Sequence, residues 1–371
     1  MRNKWFIRFT VLIIFAGVSS SAFPARAQNF SAWSAPVNLN AVTLSDGTAC
    51  PAVVNSAFDD SHPAISKDGL SLFFASTRPG PDSRGQVGLG DYDLWVAQRD
   101  SLDDCWKTPV SLGPVVNSAF MDFAPNLTTD GHWLYFHSSR PGGCNAVPLN
   151  GVPFKELWVT HRRDASDDFG WEVPINLGCI LNTPADNAGP TFFDDGEGTL
   201  FLYFTRNLTP ANPAGFKIYV STCTADLATC NTQLLWGPGT AVDALNSPFR
   251  NTRTAIRRRD GLEMILSTGR PGSHGNEDLW VSTRGTTQDQ NWLPPVPINC
   301  NWLVPMPCPD WAPVGPLVNS PVFDGAPALS WDGTELYFTS TRTDSPGFAG
   351  GRDLYVSKRT KQPDSRSVRD E

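Results

Sequence analysis

No stretch of this chain approaches the roughly 18 continuous apolar residues that a membrane-crossing helix needs; the longest apolar run, Phe9 to Val18, stops short of it. There is no G-x-S-x-G elbow, no H-E-x-x-H helix and no G-x-x-x-x-G-K-[ST] loop, which removes the usual serine-hydrolase, zinc-protease and P-loop signatures. Five histidines, His62, His132, His137, His161 and His274, share no ligand spacing, and no C-x-x-C pair occurs, so a zinc site of ordinary spacing is not expected. Positive charge is scarce too: 29 Lys and Arg face 37 Asp and Glu, for a net charge of -8. Phosphate backbones are bound by clustered Lys and Arg, so nucleic acid is not an expected partner.

The chain opens with Arg2, Lys4 and Arg8, an apolar run, and small residues ending in Ala25-Arg26-Ala27. This is the pattern of a secretory signal cleaved after residue 27. Cleavage takes away four cations and no acid, moving the net charge from -8 to -12. The expected destination is the periplasm or the exterior, with no membrane span. Eight cysteines lie beyond the signal, and in an oxidising compartment disulfides are the leading reading. Cys223 and Cys230 flank a short loop, as do Cys300 and Cys308, and each pair is expected to bridge; Cys50, Cys105, Cys144 and Cys179 stay unassigned.

Five times the chain repeats a unit with an Asp-Gly turn, an aromatic strand, a Ser-x-Arg or its variant, and a second aromatic strand. The turns fall at Asp68, Asp130, Asp195, Asp260 and Asp332, in steps of 62, 65, 65 and 72 residues. Before most turns stands a short strand led by proline (Pro63, Pro125, Pro190, Pro327), and a third strand follows at Leu94-Trp95-Val96 and its four counterparts. A fourth element opens with tryptophan at Trp33, Trp106, Trp171 and Trp236, with the fifth open between Trp292 and Trp311. Aromatic and β-branched runs bounded by Gly, Pro and Asp are strand and hairpin signals. Four short strands per unit, repeated radially, make a propeller blade.

The expected fold is therefore all-β, a single five-bladed β-propeller over residues 28–359, followed by a disordered polar tail at 360–371. The chain begins with a Trp33 strand before any unit and ends after a third strand at Val356. Residues 33 to 39 should then supply the missing outer strand and close the ring.

The motif P-x-x-S-x-DG-x-x-L-x-F-x-S-x-R-x-G…DLWV resembles the WD-repeat-like propeller repeat of TolB-type periplasmic proteins, over most of residues 33 to 359. The resemblance implies the propeller fold. For function it implies only a range of roles, scaffolds and peptidase-attached propellers among them.

Five copies of an arginine, Arg78, Arg140, Arg206, Arg270 and Arg342, point to a structural job, an ion pair or turn cap within each blade. Residues that differ between blades are better site candidates. Three residues before each inner-strand proline stand Asp60, Asp122, Asn187, Thr252 and Asp324, which repeat symmetry places around one mouth of the channel, with Arg250 and Arg253 near the same level. Asp60, Asp122, Asn187, Arg253 and Asp324 are thus the expected ligand-binding set, for a polar or carbohydrate ligand or an envelope protein. The alternative is that these acids cap strand starts by binding nearby amides. No cofactor is called for, though a channel-bound cation such as calcium would suit three carboxylates. The expected function is a non-enzymatic binding or scaffold propeller of the cell envelope. The alternative is a glycoside hydrolase using Asp60 and Asp122, with Asn187 standing where such an enzyme would want a glutamate.

Overall fold

The computed structural model describes residues 30–144, 154–209, 212–287, 290–298 and 318–362. Five four-stranded antiparallel sheets follow one another along the chain. Blade one runs outward through Asp60–Ile65, Ser71–Ser76, Asp93–Gln98 and Val110–Ser111. Blade five runs through Asp324–Leu329, Glu335–Ser340 and Asp353–Lys358, and its outer strand is Val37–Asn38 from the other end of the chain, with Val37 opposite Val356. The expected closure by the N-terminal strand is observed. Trp33 packs with Leu329, Leu336, Phe338 and Tyr355, and the Asn38 amide donates to Asp353 at 2.8 Å.

The second and third strands are apolar on both faces because each blade is pressed between two neighbours. The buried apolar side chains accordingly gather into five clusters, each spanning two adjacent blades. Phe73 of blade one meets Leu127 and Phe136 of blade two, and so on around the ring to Tyr337 and Leu354 of blade five against Phe74 of blade one. The core is a ring of interfaces, which leaves the axis for other side chains.

Polar repeats lock each unit. In blade one the Asp68 carboxylate accepts from Leu70 N at 3.0 Å, and Gly69 takes φ +77°, a conformation that favours glycine. Ahead of every inner strand an asparagine (Asn55, Asn117, Asn182, Asn246, Asn319) clasps the main chain of the preceding blade's third strand through both amide atoms. Behind four third strands an arginine (Arg99, Arg162, Arg284, Arg359) donates Nε to the Gly carbonyl of its own Asp-Gly turn. The same guanidinium lies 4.2–4.5 Å from the ring of the outer-strand tryptophan. Trp292 fills this role in blade four; Trp311 lies outside the described residues.

In blade three the corresponding position is Cys223, bridged to Cys230 as expected from their spacing. The unassigned cysteines pair as Cys50–Cys105 and Cys144–Cys179. Cys300, Cys308, the signal segment and residues 363–371 lie outside the described residues. The start of the expected disordered tail is held: Lys361 bridges to Phe30 on the main chain and its ammonium lies 2.7 Å from Asp332. Among the described residues no helix is long and apolar enough to cross a membrane.

Candidate functional site

The inner strands all start on one face of the ring, and their first acids do not line the mouth. Asp60, Asp122 and Asp324 are fully buried. Asp122 accepts from Ser118 N at 2.6 Å and Ser118 Oγ at 2.8 Å on one oxygen, and from Arg140 at 2.5 Å on the other. Asp60 does the same with Ser56 and Arg78, and Asp324 with Ser320 and Arg342. These are the capping roles, and the expected ligand-binding roles of Asp60, Asp122 and Asp324 are corrected accordingly. The reason is dielectric: a carboxylate taken out of water must be paired and hydrogen-bonded. The repeated arginine is thereby confirmed as the intrablade partner.

Asn187 is buried in the same place and accepts from Arg206 Nε at 2.8 Å, so it too leaves the site. Thr252 is not the blade-four equivalent. Thr254 takes the proline's place there, and Asn251, paired opposite Thr268 and 3.1 Å from Arg270, is the true counterpart. Burial without a carboxylate pushes Arg270 down to about 10. With these acids committed to arginines, the channel cation loses its ligands; among the described residues no cluster of three or more His, Cys, Asp or Glu could hold a metal ion.

Arg253 alone of the expected set is on the axis. It stands where blade one has His62, and its guanidinium reaches across the ring to the carbonyls of Ala124 (2.9 Å) and Pro125 (2.6 Å) of blade two. Below it Arg258 reaches Ile65 O at 2.7 Å and Leu127 O at 3.4 Å. Blade four can touch blades one and two only through the middle, so these two arginines cross the channel.

The mouth above Arg253 is built from residues one place away from the capping acids. Immediately before the inner strands stand Asp59, Met121, Arg250 and Phe323, with Asp186 the first residue of the strand in blade three; immediately before the third strands stand Tyr92, Lys155, Glu277 and Arg352, with Phe216 the first residue of the strand in blade three. The second series sits at blade junctions, because the carbonyls of Arg352, Tyr92, Lys155 and Glu277 accept from the first amide of the next inner strand. Asp59 accepts from the Tyr92 hydroxyl at 2.6 Å and from Arg352 N at 3.0 Å. Asp186 lies 3.5 Å from the Lys155 ammonium, and Glu277 lies 2.8 Å from Arg250 and accepts from Thr252 at 3.2 Å.

The mouth has apolar surfaces as well. Phe123 packs against His62 (4.1 Å), Tyr92 (4.5 Å) and His137 (5.4 Å), and Arg352 lies 5.4 Å from the Phe323 ring. Phe58, Phe120, Phe249 and Val322, each two residues before an inner strand, are exposed.

The enclosure shifts the ionisable groups. Burial raises Glu277 despite Arg250 beside it, and raises Tyr92. Burial and the Arg253 charge hold His62 and His137 well below their ordinary value, so both rings are neutral. Gly189 N donates to His137 Nδ1 at 3.2 Å, which makes that nitrogen the unprotonated one.

Sequence reasoning missed Asp59, Asp186, Glu277, Tyr92, Lys155 and Arg352. The usable signal was the pair of positions flanking the repeated acids, which change in character from blade to blade while the acids themselves vary only between Asp and Asn, or Asp and Glu apart from Lys217.

Comparison with known proteins places the fold. No family model and no curated protein matches the chain, so the resemblance to TolB-type repeats stands on its motif. Among solved structures it is similar to an alpha-L-arabinofuranosidase from Lactobacillus brevis at 16% identity and TM-score 0.51, covering 87% of this chain and 95% of that one. It is similar also to a structure described as a glycoside hydrolase, at 14% identity and TM-score 0.51, over 86% of this chain and 92% of that one. At such identity the likeness is one of fold. It gives no support to the expected non-enzymatic binding or scaffold propeller, since the two propellers named here are described as glycosidases, and that reading is set aside.

Proposed function

We propose that the protein is an exported glycoside hydrolase, periplasmic or secreted, working at the channel mouth with Glu277 as proton donor and Asp59 as the second carboxylate. The observation that carries this reading is Glu277: a glutamate at a blade junction, 6% exposed, facing the mouth beside Thr252 and raised by burial. Glycoside hydrolysis asks for one acid kept protonated near neutrality and one carboxylate fixed across from it. Asp59 fits the second role because Tyr92 and the Arg352 amide fix its orientation, and blade five with Arg352 separates it from Glu277. The alternative pair, Asp60 and Asp122, is closed to substrate by burial. The names of the two similar structures support the same class, and three disulfides suit an oxidising compartment.

The test is turnover of a panel of aryl glycosides and oligosaccharides by residues 28–371. Glu277→Gln and Asp59→Asn should each lower kcat by about 100-fold or more while the melting temperature holds. An acid that must be protonated loses activity as pH rises through its pKa, so the alkaline limb of the kcat profile should disappear in Glu277→Gln. Arg250, Thr252 and Arg352 are the groups that bear on that limb. Turnover unaffected by either substitution, or none across the panel, overturns the reading.

A further inference from the structure

The charge of the mouth runs against that of the chain. The protein as a whole is at -8, yet the mouth gathers four cations, Lys155, Arg250, Arg253 and Arg352, around three carboxylates, Asp59, Asp186 and Glu277. Two of the cations are matched, Lys155 by Asp186 and Arg250 by Glu277. Among the described residues neither Arg253 nor Arg352 has a carboxylate within 4.0 Å of its guanidinium, and the buried Nε of Arg253 has no acceptor at all.

An uncompensated guanidinium buried on the axis is costly unless something offsets it; Arg140 is given the Asp122 carboxylate, whereas Arg253 has only the carbonyls of Ala124 and Pro125. We propose that the ligand of this mouth is an acidic saccharide whose carboxylate, a uronate, supplies the missing negative charge, held by Arg352 above the positive floor made by Arg253. This rests on the reading above for the saccharide part and adds the anionic group. Arg352 is placed for it: its main chain orients Asp59, and its guanidinium lies over Phe323 on the mouth side of blade five. A planar guanidinium meets a carboxylate with two parallel hydrogen bonds. Phe58, Phe120 and Phe249, exposed two residues before their inner strands, offer apolar surface to the C–H side of a sugar ring. His62 and His137 are held neutral mainly by burial, with the arginine and lysine charges around them adding to it.

The experiment is calorimetric titration of the mature protein with tri-galacturonate, with the corresponding neutral galacto-oligosaccharide, and with galactose 6-sulfate. The acidic trisaccharide should bind about tenfold tighter than the neutral one or better, and the preference should shrink with added salt. Arg352→Gln should abolish it and Arg352→Lys should recover part of it. Should Arg352→Gln fold poorly, the acid-over-neutral preference of the unsubstituted protein and its salt dependence decide the matter. Equal affinity for acid and neutral sugar, no binding of the acid at millimolar concentration, or binding confined to the sulfate ester overturns the proposal. Turnover by the unsubstituted protein keeps the two readings apart: acid-selective binding with no turnover of any glycoside sinks the hydrolase and leaves this inference standing, while turnover of neutral glycosides with no acid preference does the reverse.

Discussion

One residue of displacement separates a cap from a site. Asp59 and Asp60 are neighbours, yet Asp60 is sealed against Arg78 while Asp59 faces the mouth and takes the Tyr92 hydroxyl. Sequence alone could show a column of Asp60, Asp122, Asn187 and Asp324, with Thr252 read in blade four, but not that Asn187 and Asn251 are tolerated because either side chain can accept from an arginine. Variation that looked functional is substitution between two acceptors. Removing the acceptor altogether is another matter. Asp122→Ala leaves the Arg140 charge unpaired and should cost about 3–5 kcal/mol, whereas Asp122→Asn, which copies blades three and four, should cost about 1–2 kcal/mol. Asp59→Asn should stay within about 0.5 kcal/mol of the parent. Urea unfolding of the three variants checks the order; an Asp122→Ala as stable as Asp59→Asn would refute the capping role.

Strands, turns and their order were legible because the repeat writes each element five times, and alternation of apolar runs with Asp-Gly turns has few other solutions. What held the elements together was harder to see, because it lies in residues just outside the aromatic runs. The Asn of Asn55 and its four counterparts are repeated as regularly as the Asp-Gly turn, and the arginine after the third strand recurs in four blades of five, but their partners are main-chain atoms that no pattern reveals. Blade three shows what happens when such a lock is exchanged. Cys223 replaces the arginine, Trp236 turns its indole nitrogen to Asn231 at 2.9 Å, and the short helix Leu227–Thr232 brings Cys230 back to complete the bridge. Closing so short a loop is worth about 2–3 kcal/mol in the chain-entropy model. Replacing both cysteines with serine should therefore lower stability by that amount, and the loss should be local: amide exchange of the outer strand Thr240–Ala241 should speed up before that of Val110–Ser111 in blade one. Uniform acceleration around the ring would mean that blade three is not a separate unit of stability.

At the scale of the ring, the mouth exists only because the two ends of the chain meet. Five interfaces share the core, so the contacts of blade one are completed by blade five, and the Asp59 carboxylate is oriented by the amide of Arg352 from the far end of the sequence. The closing strand itself is short, yet it brings Trp33 into the cluster between blades four and five and Leu39 into that between blades five and one. This much was readable, since an outer strand was left over at one end and missing at the other; the pocket was not, because which side chains converge depends on closure as well as on repeat register. Deleting residues 28–40 should bare the edge of Asp353–Lys358 and uncover both clusters, and an open, apolar edge pairs with other chains. Light scattering should show oligomers where the intact mature protein is a single species, and ligand binding at the mouth should fall together with that change because Arg352 loses its fixed place beside Asp59. Adding back a peptide of residues 28–40 should restore both. A truncated protein that stays dispersed and binds as before would show that the ring holds its shape without the strand, and that the mouth is fixed blade by blade.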